Sequence, residues 1–191
     1  MRALFRTRII CGRPRVWSGW ICSSRASHWD SRAPSETITE TVQLAFASFR
    51  AWAGPRFDPP PATLELPRVL EGLGRPSTWA LLALSGDEPA GHVAVTQARE
   101  REEPRPDIPG LAHLWMLFVR PPWWGSGLAA RLNALAVQEA TSRGYTAMRL
   151  HTPAGNARAR AFYEREGWTT DGVLIPEPML GLDLVQYGRD L

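Results

Sequence analysis

Two short stretches of this chain carry residue types and spacings that could do chemistry. The first runs Phe118-Val119-Arg120-Pro121-Pro122-Trp123-Trp124-Gly125-Ser126-Gly127-Leu128-Ala129. An apolar run ends, two prolines turn the chain, and glycines open a helix. Such a turn presents successive backbone N–H groups at the positive end of a helix dipole, an arrangement that suits phosphate. Glycine keeps a Cβ out of the way of a closely approaching anion and allows positive φ. Arg131, one turn on, could add charge. A tight strand-to-helix turn with no ligand fits the same residues.

The second stretch is Asn156 to Trp168. Asn156 is a good N-cap for the helix that follows, and Tyr163 lies seven residues on, two turns along the same face. There a phenol could donate a proton to a leaving group. The plainer reading has Asn156 capping and Tyr163 packing beside Phe162 and Ala159. A dinucleotide fingerprint also fits Gly125-x-Gly127-x-x-Ala130 on paper. It requires an acidic residue about twenty positions later, where this chain has Arg149, Leu150 and His151. That reading is set aside.

The elements that position these stretches follow from periodicity. Ser35 can cap a helix whose apolar residues Ile38, Val42, Ala45, Phe46, Phe49 and Trp52 recur at three- and four-residue steps. A weaker helix fits 62–72. Runs at 78–85 and 89–97 form a hairpin around Gly86-Asp87-Glu88. The charged, Pro-rich 98–110 reads as a loop, 111–119 as a buried strand, and 125–143 as a helix closed by Gly144. A strand at 146–151, a helix at 157–166 and strands at 173–175 and 179–187 complete a mixed α/β domain. A weak first strand is placed near 27–33.

Composition sets limits. All 22 basic residues are Arg, so a lysine Schiff base and a lysine-bearing phosphate loop are excluded. The net charge of +3 is uneven: residues 1–35 hold seven Arg and one acid, whereas 36–191 hold fifteen Arg and eighteen acids. The basic balance therefore does not point the main domain toward nucleic acid. Cys11 and Cys22 match no zinc spacing and read as incidental thiols in a reducing, cytoplasmic compartment. Residues 1–26 contain no apolar run long enough for a membrane span or signal core. They read as an N-terminal extension, disordered or a non-native start of a bacterial gene, before a domain at 27–191. A targeting peptide and a structural arm are the alternatives.

The run from Leu117 to Ala129 and the run Asn156…Ala161-Phe162-Tyr163-Glu164-Arg165-Glu166-Gly167-Trp168, with the helix and strand between them, resemble the GNAT superfamily of N-acetyltransferases. The resemblance covers about residues 78–190 and is compatible with 34–77. It implies a GNAT-like fold, a mostly antiparallel twisted sheet whose central strands splay, and acetyl-CoA as co-substrate without a metal. Backbone groups around Phe118, on Leu117 and Val119, would pair with the pantetheine arm. The N–H groups of Trp124, Gly125, Ser126, Gly127, Leu128 and Ala129 would hold the pyrophosphate. Asn156 would bond the cofactor near its thioester, and Tyr163 would protonate the departing thiolate. Family members usually carry Arg or Gln where this chain has Trp124, so a side-chain contribution to the phosphates is missing.

Many members of the family place a Glu where His113 stands, which makes His113 the candidate base; a packed strand-start residue is the plainer reading. Glu100, Glu102 and Glu103 are nearby alternatives, and His92 and His151 read as structural. The expected acceptor is a primary amine, on a small molecule or on a peptide or protein, attacked without a covalent enzyme intermediate. No nucleic-acid or membrane partner is expected, and the chain is read as a monomer or homodimer. The alternative is an acyl-CoA-binding sensor or structural module without turnover, which would not need Tyr163 and a base.

Overall fold

A computed structural model describes residues 5–11 and 32–191. In chain order the elements are β1 (Phe5–Cys11), α1 (Arg32–Phe49), α2 (Ala62–Gly74), β2 (Trp79–Ser85), β3 (Glu88–Arg99) and β4 (Asp107–Val119). A 3-10 turn at Pro121–Trp123 leads to α3 (Leu128–Ser142), β5 (Ala147–Pro153), α4 (Ala157–Arg165), β6 (Leu174–Glu177) and β7 (Leu182–Asp190). The strands form one seven-stranded sheet in the order β1-β2-β3-β4-β5-β7-β6. Every neighbouring pair is antiparallel except β4 and β5.

Each face of the sheet buries its own core, because strand side chains alternate in direction. On one face Leu81, Val93, Val95, Leu114, Met148, Leu150, Val185 and Tyr187 meet α3 through Leu128, Leu132, Ala136 and Ala140, and meet Tyr163 and Trp168. On the other, Ala80, Ala94 and Met116 meet Ile38, Val42, Phe46 and Phe49 of α1 and Val69 and Leu73 of α2. The expected apolar period of α1 is thus the face that packs.

Several boundaries differ from expectation. The hairpin of β3 and β4 runs further than its apolar core, to Arg99 and from Asp107, so the loop shrinks from 98–110 to 100–106. Ser35 lies inside α1 and its carbonyl accepts from Thr39 Oγ1, so it is not the cap. The prolines start a 3-10 turn, which delays α3 to Leu128. The last two strands fall a few residues later than read. Of the weak strand near 27–33, residues 32 and 33 open α1, and 27–31 lie outside the described residues. Residues 5–11 pair along β2 as an edge strand. No helix among the described residues is long and apolar enough to cross a membrane.

Candidate functional site

The site begins with a failure of pairing. β4 and β5 are in register only at Leu111↔Ala147, Ala112↔Met148 and His113↔Arg149. Beyond that rung the strands part, and β4 continues for six more residues with no strand partner on that side among the described residues. Trp115 is the extra residue of a bulge at the parting, since Ala94 faces Met116 and Val95 faces Leu114. A bulge bends and twists the strand that carries it.

Register fixes which backbone groups look into the resulting cleft. Arg120 N–H donates to Ala90 O at 2.9 Å, and Val119 sits opposite Gly91. Alternate residues of a strand turn their N–H and C=O to opposite sides. Phe118 and Arg120 therefore address β3, while Leu117 and Val119 address the cleft. The Phe118 ring packs with the α1 and α2 core. Phe118 thus faces away from the cleft in both backbone and side chain.

Gly91 holds this edge in place. A Cβ there would lie 2.6 Å from Phe118 O and 3.2 Å from Val119 Cα. Arg120 anchors the strand end from the other side, with Nε donating to Thr41 Oγ1 at 3.0 Å and a guanidinium N–H to Glu40 at 2.7 Å.

At the cleft's end stands the glycine turn. Gly125 and Gly127 have φ of +81° and +83°, a region glycine enters without steric cost. Trp124 N–H is spent on Pro121 O, Ser126 N–H on Trp123 O, and Leu128 N–H on Ser126 Oγ. The turn thus braces itself with three of the six N–H groups from Trp124 to Ala129. Gly125, Gly127 and Ala129 are the other three. The Trp124 side chain folds back so that its indole N–H donates to Val119 O at 2.7 Å.

Across the cleft, Asn156 caps α4, its Oδ1 accepting from Ala159 N–H at 3.1 Å; the amide nitrogen is not part of the cap. Tyr163 is buried, within 5.1 Å of Phe162, 6.1 Å of Trp168 and 6.0 Å of Tyr187 between ring centroids. Burial pushes its phenol above the usual tyrosine range, so it is protonated at neutral pH. A network that sequence reasoning missed fixes this helix: Tyr187 Oη donates to Glu164 at 2.8 Å and accepts from Arg160 Nε at 3.2 Å. Arg160 also donates to Ala154 O. The i, i+4 spacing of Arg160 and Glu164 was the available signal.

His113 does not touch Tyr163. Ala112 and Leu114 enter the α3-side core, so His113 projects from the opposite face, where Arg149, His151 and Gln186 also project. His113 Nδ1 lies 3.3 Å from Arg149 O. A carbonyl only accepts, so in the neutral ring Nδ1 holds the proton and Nε2 is the free acceptor. Burial, then the neighbouring His151 and Arg149, push its pKa down to about 3. His151, read as structural, is the ring beside it; burial lowers its pKa to about 4 despite a bond with Gln186 at 3.2 Å.

Beside this pair lies a recess of about 420 Å³ lined by Glu100, Arg101, Glu102, Pro104, Pro106 and Arg149. Two of the three loop acids thus face the same side as His113, while Glu103 pairs with Arg105 at 2.8 Å. The segment between α1 and α2 reaches the loops after β5 and before β7. Trp52 packs on Gly155, and Asp58 N–H donates to Leu180 O. Trp115 packs against α2, where a Cβ on Gly72 would collide with its ring. Among the described residues no group of three or more His, Cys, Asp or Glu is placed to hold a metal ion.

A mixed sheet opened between two parallel central strands, with a glycine turn at one lip and a capped helix at the other, defines an acyltransferase of the GNAT type. The acetyltransferase (GNAT) family profile matches residues 42–168, and the chain belongs to that family. Solved structures agree in fold. A ribosomal-protein-alanine N-acetyltransferase from Brucella melitensis is 18% identical with a TM-score of 0.64, covering 84% of this chain and 96% of its own. The PaiA N-acetyltransferase from Thermoplasma acidophilum in complex with coenzyme A is 13% identical with a TM-score of 0.60, covering 84% and 94%. Aminoglycoside 6'-acetyltransferase type Ii is 17% identical with a TM-score of 0.60, covering 86% and 95%. Among curated proteins, none matches the sequence.

Proposed function

We propose that this acetyltransferase transfers an acetyl group from acetyl-CoA to a primary amine by direct attack, with residues 27–191 as the working domain. The observation that carries the reading is the pair Leu117 and Val119, whose N–H and C=O groups face a cleft that β5 has left. An extended arm with amide groups can complete that edge as an added strand. The glycine turn at its end offers N–H groups and positive φ for close approach of a pyrophosphate.

Acetyl-CoA supplies the activated thioester. The backbone of Leu117 orients the acyl carbonyl and polarises it through its N–H. Nε2 of His113 accepts the proton the amine loses, directly or through water. The ring is neutral, so Nε2 keeps a lone pair for the proton, while burial lowers its basicity and makes it a weak base. Tyr163 gives its proton to the sulfur as the carbon–sulfur bond breaks, and the spare amide of Asn156 steadies the same end. The two proton-handling groups sit on opposite faces of the sheet, and in this reading the splay between β4 and β5 is the opening through which each would approach the thioester. The acceptor enters over His113, between the 100–106 loop and the α1–α2 segment, and a small amine or a peptide amine both fit this description.

The test is CoA release from acetyl-CoA with a panel of amines, beside Tyr163→Phe. The variant is expected to lose at least about a hundredfold in rate while keeping CoA affinity. Full activity in both Tyr163→Phe and His113→Ala would overturn the mechanism. Absence of any thermal stabilisation by acetyl-CoA would overturn the co-substrate.

A further inference from the structure

Trp124 does more than shape the glycine turn. Its indole N–H holds Val119 O at 2.7 Å, and the guanidinium of Arg158 lies over the indole, 4.2 Å from its centroid. Val119 ends β4, whereas Arg158 stands in the first turn of α4, just after β5. The Val119–Trp124–Arg158 chain of contacts therefore spans the mouth of the cleft from one lip to the other. It also caps a carbonyl on the strand edge that faces the cleft. Trp124 is 43% exposed, so its side chain can leave without disturbing a packed core.

We propose that Trp124 and Arg158 form a latch on the acyl-CoA cleft, in which the indole N–H occupies Val119 O until an amide of the entering arm displaces it. The inference rests on the acyl-CoA reading above. A carbonyl on an open strand edge is a strong acceptor left without a strand partner, and the Trp124 indole gives it a donor. Only the unlatched fraction can accept the arm, so the latch lowers apparent affinity in proportion to its closed population. One hydrogen bond at a wet surface closes such an equilibrium by a factor between about two and ten.

The experiment measures CoA binding by titration calorimetry and its association rate by stopped-flow, for the full chain and two variants. Trp124→Phe keeps the ring and its cation contact but has no N–H to donate; Arg158→Gln keeps the length but removes the cation. Both are expected to bind CoA about two- to tenfold more tightly and to associate faster. Melting followed by circular dichroism verifies that each variant is folded. Unchanged or weaker binding by Trp124→Phe overturns the latch, since the indole would then be neutral or a contact to the arm. Weaker binding by Arg158→Gln also overturns it, because Arg158 would then be a phosphate ligand. If the full chain itself fails to bind CoA, the acyl-CoA reading falls and takes the latch with it.

Discussion

The imidazole of His113 lies 5.3 Å from that of His151, at the last rung where β4 and β5 pair. Two rings so close cannot both carry charge cheaply, and burial already disfavours charge on each. His151 also feels Arg149 and Arg101, and Gln186 only partly offsets them. Interacting groups titrate as a pair, and here the pair is neutral well below pH 6.

That sets an expected pH profile. The kcat/KM for an amine acceptor should rise with pH as the acceptor loses its proton, with no break from His113 between pH 5 and 7. Rates measured from pH 5 to 9 for the full chain and for His113→Gln test this. A break near pH 6.5 that disappears in His113→Gln would show the ring titrating in the ordinary range, against the buried environment found here.

His92 makes a separate prediction about stability. It is fully buried beneath α1 beside Phe118, and neither ring nitrogen has a hydrogen-bond partner among the described residues. Burial, and then Arg120, push its pKa down to about 3. The unfolded chain therefore binds a proton that the folded chain refuses between pH 6.5 and about 3. The stability this implies is whole above pH 6.5 and is lost as pH falls through that window, by up to about 1.4 kcal/mol per pH unit. His92→Leu should stabilise the protein at pH 7 by about 1–3 kcal/mol, by removing orphaned polar atoms, and should flatten the acid decline. Urea unfolding at pH 7 and pH 5 decides, and a steeper acid decline in the variant would refute the account.

Gly91 predicts a coupling between packing and the cleft. A Cβ would meet the backbone of Phe118 and Val119, which cannot rotate away, so β4 must shift. Gly91→Ala should cost about 1–3 kcal/mol, in the range of other overpacked sites, and weaken CoA binding as well. Gly188→Ala is the control, because its Cβ meets nothing within 4 Å. Equal CoA affinity in Gly91→Ala would show that the strand edge tolerates displacement.

What could be read ahead of the structure was local and periodic. The α1 face, the individual strands from β2 onward, the glycine turn and the Asn156 cap each lie within one element or one turn, so spacing reveals them. The reach of β3 and β4 into charged, Pro-rich residues was not legible, because those rungs are held by backbone pairing that side-chain type does not report. The His113–His151 pair and the bond from Trp124 to Val119 join residues distant in sequence or depend on how a side chain folds back. Periodicity carries no information about either. The strand at 5–11 was hidden for a related reason: with Arg at positions 6 and 8 its side-chain types do not read as a strand, and only backbone pairing with β2 shows it.

That edge strand supports a last prediction. β1 is separated from β4 by two strands, so removing residues 5–11 takes away no strand that borders the cleft. It does uncover the backbone of β2, whose residues Trp79 to Ala83 are buried and apolar. An open, flat, apolar edge invites pairing with another chain. The 27–191 chain should therefore bind CoA with unchanged affinity but aggregate at concentrations where the full chain does not. Calorimetry and light scattering on the two chains read these outcomes separately. A truncated chain that melts cooperatively yet no longer binds CoA would place the first 26 residues within the working site and refute the boundary at 27.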